Sequence, residues 1–349
     1  MRNTYIAVVI ILTIMVLGIS CSKAPQTAVI EPAQLKMFKP IPASIPPQAG
    51  AITAEQVALG RMLYYDARLS KSQKISCNSC HDLAKFGVDN ESTSAGHRGQ
   101  RGDRNSPTVY NAAGHFVQFW DGRAKDVEEQ AKGPVLNPVE MAMGSDRDVV
   151  AVLKSMPEYV AAFQKAFPEA KDPVTYDNFG KAVGAFERGL VTPSRWDKFL
   201  SGDDAALTPA EKAGFVEFSN AGCPTCHAGT YLGGNMFQKL GVAKTWSDTS
   251  DAGRAKVTKS DADQLVFKVP SLRNIEKTGP YLHNGKTETL PEVIATMSDY
   301  QLGKQLSPAE VASIETFLKS LTGTVPEDYI KAPDLPKSGP KTPKPSESD

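Results

Sequence analysis

The pentapeptides Cys77-Asn78-Ser79-Cys80-His81 and Cys223-Pro224-Thr225-Cys226-His227 constrain this chain more than any other feature. They use every cysteine but Cys21. On one turn of helix, two Cys three positions apart face the same side, so both thiols can form thioethers to the vinyl groups of one haem while the adjacent His ligates the iron. A structural zinc site would bring its Cys pairs within about 15–20 residues and gives no reason for a His after each pair. Here residues 81–222 lie between them. A redox dithiol of the thioredoxin type expects a βαβ context, which is missing. The motifs therefore predict two haem c groups, one per half of the chain.

The first residues read as an export leader: Arg2, an unbroken apolar or small stretch from Tyr5 to Ile19, then Ser20-Cys21. That run is shorter than the roughly 20 residues of a membrane span, which favours cleavage over a retained anchor helix. Cys21 after a small residue is similar to the lipobox of bacterial lipoproteins, although Gly18 stands where that box prefers Leu. Acylation of Cys21 and an incidental Cys are both open. Lys plus Arg and Asp plus Glu each total 39, with no long run of one sign, so nothing favours a nucleic-acid partner.

The expected organisation is a signal peptide over 1–20, a Pro-rich tether over 21–50, two folded domains over 51–195 and 196–330, and a disordered Pro, Lys and Ser rich tail over 331–349. The fold class is all-α with little β structure. Thr53 with Gln56, Thr208 with Glu211 and Ser307 with Glu310 are capping pairs that start helices, the last two with Pro at the first helical position. Val311, Ile314, Phe317, Leu318 and Leu321 give the last helix an apolar stripe, and Gly323 is expected to stop it. Further helical patterns cover roughly 146–166, 177–190 and 291–298; Leu265 to Val269 is the best strand. Ala58-Leu59-Gly60-Arg61-Met62-Leu63-Tyr64 precedes the first Cys pair as Lys212-Ala213-Gly214-Phe215-Val216-Glu217-Phe218 precedes the second, an echo that points to duplication.

Haems that only carry electrons fill both axial positions, so candidate sixth ligands are His97, His115, His283 and the methionines. The residues alone leave the choice among them open. Gly96-His97, Arg104-Asn105-Ser106-Pro107-Thr108, Gln118-Phe119-Trp120-Asp121-Gly122-Arg123-Ala124, Gly133-Pro134 and Glu140-Met141, then Pro270-Ser271-Leu272-Arg273-Asn274, Gly279-Pro280-Tyr281-Leu282-His283 and Gln301-Leu302-Gly303 follow in order. This pattern resembles the bacterial di-haem cytochrome c peroxidases over residues 51–325.

The resemblance implies two cytochrome c-like helical domains with unequal haems. The C-terminal haem, held by Cys223, Cys226 and His227, takes Met297 as sixth ligand and receives electrons first. The N-terminal haem, held by Cys77, Cys80 and His81, is the peroxide site, closed in the oxidised resting state by His97 on a Gly-rich segment. Glu140 matches the catalytic acid and base, Gln130 a residue that hydrogen-bonds peroxide, and Trp120 an electron bridge between the haems. Asn105, Thr278 and Pro280 match a calcium site built from one amide oxygen and two backbone carbonyls. His283 is expected near the haem propionates and His115 to be structural.

The implied activity is reduction of hydrogen peroxide to water with electrons from a small c-type cytochrome or a cupredoxin. The implied setting is a homodimer in the periplasm of a Gram-negative bacterium, lipid-anchored where Cys21 is acylated. Two alternatives stand beside it. One is the related di-haem enzyme that matures a quinone cofactor in methylamine dehydrogenase, where a Tyr replaces the Met ligand, so Met297 argues against it. The other is a non-catalytic di-haem electron carrier in which His97 and Met297 are permanent ligands.

Overall fold

Capping chemistry sets where the long helices begin. In a computed structural model that describes residues 29–47 and 50–347, Thr53, Thr208 and Ser307 each accept the backbone N–H three residues on and have their own N–H taken by the side chain of Gln56, Glu211 or Glu310. The helices are α1 (Pro32–Leu35), α2 (Ala54–Tyr65), α3 (Cys77–Cys80), α4 (Val127–Gln130), α5 (Lys132–Leu136), α6 (Asp146–Lys154), α7 (Pro157–Ala166), α8 (Tyr176–Glu187), α9 (Arg195–Leu200), α10 (Pro209–Ala221), α11 (Ala255–Thr258), α12 (Leu290–Leu302), α13 (Pro308–Lys319) and α14 (Glu327–Ile330). Pro157 splits the expected 146–166 helix in two, because proline starts a helix well and continues one badly. Among the described residues the strands are β1 (Phe237–Lys239) and β2 (Val266–Lys268), an antiparallel pair with Phe237 opposite Lys268.

The echo before the two Cys pairs has a structural meaning. α2 crosses α8, and α10 crosses α13. A Cβ on Gly60 would lie 1.8 Å from the Ala182 carbonyl oxygen, and one on Gly214 would lie 2.1 Å from that of Ser313. In both crossings the next turn brings a Phe Cβ, of Phe186 or Phe317, to 2.9 Å. The matched glycines let the two helix pairs pack backbone to backbone in the same way.

Each crossing centres an apolar cluster. Leu59, Leu63, Tyr64, Val135, Val149, Phe163, Phe179 and Phe186 belong to the first. Trp196, Phe215, Phe218, Ile314, Phe317 and Leu321 belong to the second, where the Trp196 ring lies 5.0 Å from Phe215 and 5.2 Å edge-on from Phe317. Burying each such side chain stabilises by roughly 1.5–3 kcal/mol. The apolar stripe of α13 is buried, but the helix ends at Lys319 rather than at Gly323. Gly323 pairs with Ser194 and donates its N–H to Asn274 Oδ1, which stitches the segment after α13 to the start of α9.

The chain ends differ from expectation. Residues 29–47, part of the expected tether, dock on the second cluster: Phe38 packs edge-on to Trp196 and Phe215, and the Ile41 N–H donates to Asp197 Oδ1 at 2.7 Å. Apolar Ile30, Leu35 and Phe38 recur among the prolines and supply the contact. In the opposite sense, Val325, Tyr329 and Ile330 pack on the first cluster. Residues 331–347, expected to be disordered, continue over the surface of that first unit with hydrogen bonds to Arg68, Lys71, Gln73 and Ser155. Proline removes donors and helix propensity but leaves carbonyls that a folded surface can bind. The leader and Cys21 lie outside the described residues.

Candidate functional site

The first motif forms α3 with His81 as its C-cap, the His81 N–H bonding back to the Cys77 carbonyl. Tyr64 on α2 donates its hydroxyl to the His81 carbonyl at 2.7 Å, so the helix crossing positions the ligand. The second motif makes the same N–H bond, from His227 to Cys223. His227 Nδ1 lies 3.1 Å from the Leu232 carbonyl, an arrangement that leaves Nε2 for a metal. Cys77 packs against the first cluster and Cys223 against the second.

These residues fit covalently held haem. The four motif cysteines are free thiols. Burial pushes the Cys77 thiol up to about 12 and those of Cys80 and Cys223 to about 11. They are partly buried, reduced thiols, the form from which a thioether to a vinyl group is made. His81 Nδ1 is buried without a partner. Burial lowers both His81 and His227, which keeps the imidazoles neutral, the ligating form.

Of the residues expected around the first haem, His97 and Glu140 are in backbone contact. His97 is 3 % exposed, and neither ring nitrogen has a hydrogen-bond partner among the described residues. Such a pair of orphaned groups is costly unless something ligates it. His97 sits in a short turn closed by an Ala95–Arg101 bridge, and its N–H donates to the Glu140 carbonyl at 2.7 Å. Gly96 makes that contact possible, since a Cβ there would lie 2.0 Å from the Val139 carbonyl oxygen. Burial raises the Glu140 carboxyl above its ordinary range, and the charge of Arg123 only partly offsets it. The Glu140 charge adds a small part to the rise of the Cys80 thiol. Gln130 ends α4, half-buried.

Between the two units Trp120 donates Nε1–H to the Asn105 carbonyl at 2.9 Å and accepts the Lys268 N–H of β2 at 2.7 Å. Met297, on α12, packs with Trp120 and Trp246 against Leu240, Leu265 and Phe267. His283 is buried, stacked on Phe267 at 4.3 Å and edge-on to Trp120 at 6.5 Å, and its carbonyl accepts the Asn105 N–H. Asn105 thus meets the segment that carries Thr278 and Pro280, whose intervening Gly279 carbonyl accepts from Asn90 Nδ2 at 2.8 Å. His115 Nδ1 lies 3.4 Å from the buried Lys268 Nζ.

Sequence reasoning missed the charge network that surrounds Trp120. Arg104 binds Asp121 and Asp251 at 2.6 Å each, and Arg123 shares Asp121 while lying 3.5 Å over the Phe119 ring. Asp121 and Asp251 are buried, so their attraction to arginine is little screened and must offset the cost of removing both charges from water. Arg104, Asp121 and Arg123 stand in the recognised motifs, but nothing in a linear pattern reveals that Asp251 completes the set.

Comparison with known proteins agrees with the arrangement. The family model described as di-haem cytochrome c peroxidase matches residues 54–205. The chain is 46% identical over 317 residues to a cytochrome c551 peroxidase of Pseudomonas aeruginosa, covering 89% of this chain and 91% of that protein. It is 46% identical over 331 residues to one of Nitrosomonas europaea, covering 94% of each. Among solved structures, a MauG-like protein associated with microbial copper homeostasis superposes with a TM-score of 0.75 at 28% identity, over 84% of this chain and 97% of that one. Motifs, helix pairs and sequence likeness over nearly the whole length lead to one conclusion: this chain belongs to the di-haem cytochrome c peroxidase family.

Proposed function

We propose that this protein reduces hydrogen peroxide, taking two electrons singly from a small c-type cytochrome or a cupredoxin and two protons to give two waters. The observation that carries the reading is the backbone contact between a buried, unpartnered His97 and Glu140, which we read as the distal side of the first haem. When bound, the haems supply the redox chemistry, storing and passing the electrons that peroxide takes up. Cys77, Cys80 and His81 would hold one, and Cys223, Cys226 and His227 the other. His97 and Met297 would be their sixth ligands.

Glu140 takes the proton from the near oxygen of peroxide and returns it to the leaving oxygen, because loss of water is far easier than loss of hydroxide. A carboxyl raised by burial suits both halves of that transfer. Gln130 orients the substrate by hydrogen bonding, and His97 closes the site when the protein is fully oxidised. Trp120, joined to both units by its own hydrogen bonds, lies on the electron path. Met297 would offer a soft thioether sulfur to the second haem, a donor that favours the reduced iron. Asn105, Thr278 and Pro280 offer oxygens to a calcium ion at the junction.

We assign residues 51–195 to the peroxide-side domain and 196–330 to the electron-accepting one, in an exported homodimer. No helix among the described residues is long and apolar enough to cross a membrane; a membrane tether through Cys21 is part of this proposal. Stepwise reduction followed by peroxide, monitored by electronic spectroscopy, tests the reading. We expect two haems, a high-spin signal after one electron, and turnover with a cytochrome donor. A protein that stays low-spin throughout and leaves peroxide intact is an electron carrier instead.

A further inference from the structure

The segment after α14 does more than cover surface. From α14, fixed on the first unit by the Tyr329 hydroxyl to the Phe186 carbonyl, the chain runs on through Pro333, Pro336, Pro340, Pro343 and Pro345. A Pro-rich stretch is semi-rigid, so holding it extended forfeits little conformational freedom. Its anchors are spaced along its length. Arg68 donates to the Pro336 carbonyl at 2.7 Å and to Ser338 Oγ at 3.2 Å. Thr342, 6 % exposed, hydrogen-bonds Ser155 at 2.9 Å beyond the end of α6. Gln73 Nε2 donates to the Pro343 carbonyl at 2.8 Å, and the Ser346 N–H to the Lys71 carbonyl at 2.9 Å.

Lys71 is where this segment meets the site. Its carbonyl accepts Ser346, and its own N–H donates to the Met141 carbonyl at 2.8 Å. Met141 is buried and follows Glu140, whose carbonyl holds the His97 N–H. A continuous run of backbone bonds therefore joins Ser346 to the loop of His97. At its tip Glu347 pairs with Lys74, whose hydrogen bond holds its carboxyl below the ordinary range. The Lys74–Glu347 pair is exposed at both ends and contributes little alone. The anchors spaced along the segment carry the effect.

We propose that residues 332–347 form a strap that positions the Glu140 segment and holds the His97 loop closed over the first haem site. The proposal rests on the reading of His97 as a closing ligand. It adds that closure depends on the far end of the chain, so whatever displaces the strap raises the open population.

The test uses the full haem-loaded protein, a chain ending at Ala332, Thr342→Val, which breaks one anchor, and His97→Ala as control. In the fully oxidised state both strap variants should show more high-spin first haem and bind cyanide faster, about tenfold in the shortened chain, as when a pair of ordinary hydrogen bonds stops favouring the closed loop, and about fivefold in Thr342→Val, which loses one. An unchanged second-haem spectrum reports that the fold survives, and a peptide of residues 332–347 added to the shortened chain should slow cyanide binding again. If His97→Ala binds cyanide fast while the strap variants match the wild type, the strap idea falls and the gate stands. If His97→Ala is spectrally unaltered, both fall. A lower melting temperature with an unchanged cyanide rate marks a merely structural strap and also overturns the proposal. If the shortened chain fails to fold, Thr342→Val decides.

Discussion

The backbone N–H of His97 is held 2.7 Å from the carbonyl oxygen of Glu140, so the residue proposed to close the site is fastened to the residue proposed to move its protons. The bond uses the Glu140 backbone, which separates the two roles experimentally. Glu140→Gln should lower kcat by about 10²- to 10⁴-fold while the oxidised spectrum and both haem potentials stay as in the wild type. Steady-state turnover with a cytochrome donor and a redox titration check this together. Wild-type turnover would remove Glu140 from the mechanism.

Gly96→Ala probes the other side of the same contact. The added Cβ would need to displace the Val139 carbonyl oxygen from 2.0 Å, and backbone cannot yield as a flexible side chain would. We expect the oxidised protein to lose low-spin character at the first haem and to fall in kcat, because the shift moves Glu140 as well as His97. Electron paramagnetic resonance of the resting enzyme reads the first effect. A resting spectrum identical to the wild type would show that the loop closes without this contact.

Much of this architecture is legible in the sequence because it rests on local rules. Thr53, Thr208 and Ser307 announce their helices by capping chemistry, and the echo of residues 58–64 in 212–218 points to duplication, although only the fold shows that Gly60 and Gly214 seat matching helix crossings. Distant pairings leave no such mark. Asp251 meets Arg104 across 147 positions, and Phe38 reaches Trp196 from a stretch whose prolines suggested a tether. Gly323 reads as a helix stop, yet Asn274 and Ser194 claim it after the helix has already ended. The distal assignments of His97, Glu140 and Met297 came from family likeness, since a lone His, Glu or Met in a linear pattern looks like loop, surface or core.

Met297 packs among Leu240, Leu265 and Phe267, a setting that equally suits a core methionine. Leucine has nearly the same volume, so Met297→Leu should cost less than about 1.5 kcal/mol of stability. Loss of the thioether should nevertheless lower the potential of the second haem by on the order of 0.1 V. Spectroelectrochemistry distinguishes the roles: an unaltered potential would leave Met297 as packing alone.

Trp120 offers a comparison of ring against bond. Trp120→Phe keeps an aromatic ring but loses the Nε1–H donated to the Asn105 carbonyl, at about 1 kcal/mol. Trp120→Ala loses both. If the π system carries electrons, stopped-flow transfer between the haems should slow markedly in the Ala variant and little in the Phe variant. Equal slowing in both would instead assign the effect to the hydrogen bond and the junction geometry.

The last prediction concerns acid. Arg273, 1 % exposed, makes a two-pronged pair with Asp197 at 2.7 and 2.8 Å. Burial would raise the Asp197 carboxyl, but the Arg273 hydrogen bonds and charge, with the N–H groups of Ser194 and Ile41, outweigh it and hold the group below its ordinary range. A depressed folded pKa means the unfolded chain binds the proton first, so the stability this group contributes is full above about pH 4 and drains as pH falls through the lower folded value. Asp197→Asn should therefore destabilise near neutral pH by about 3–5 kcal/mol, since it strands a buried guanidinium. It should also loosen the 29–47 segment that hangs on the Ile41 bond. Urea midpoints taken from pH 7 down to pH 3 check the sign. The wild-type and variant curves should converge toward the acid end, and curves that stay parallel would mean that Asp197 carries no pH-linked stability.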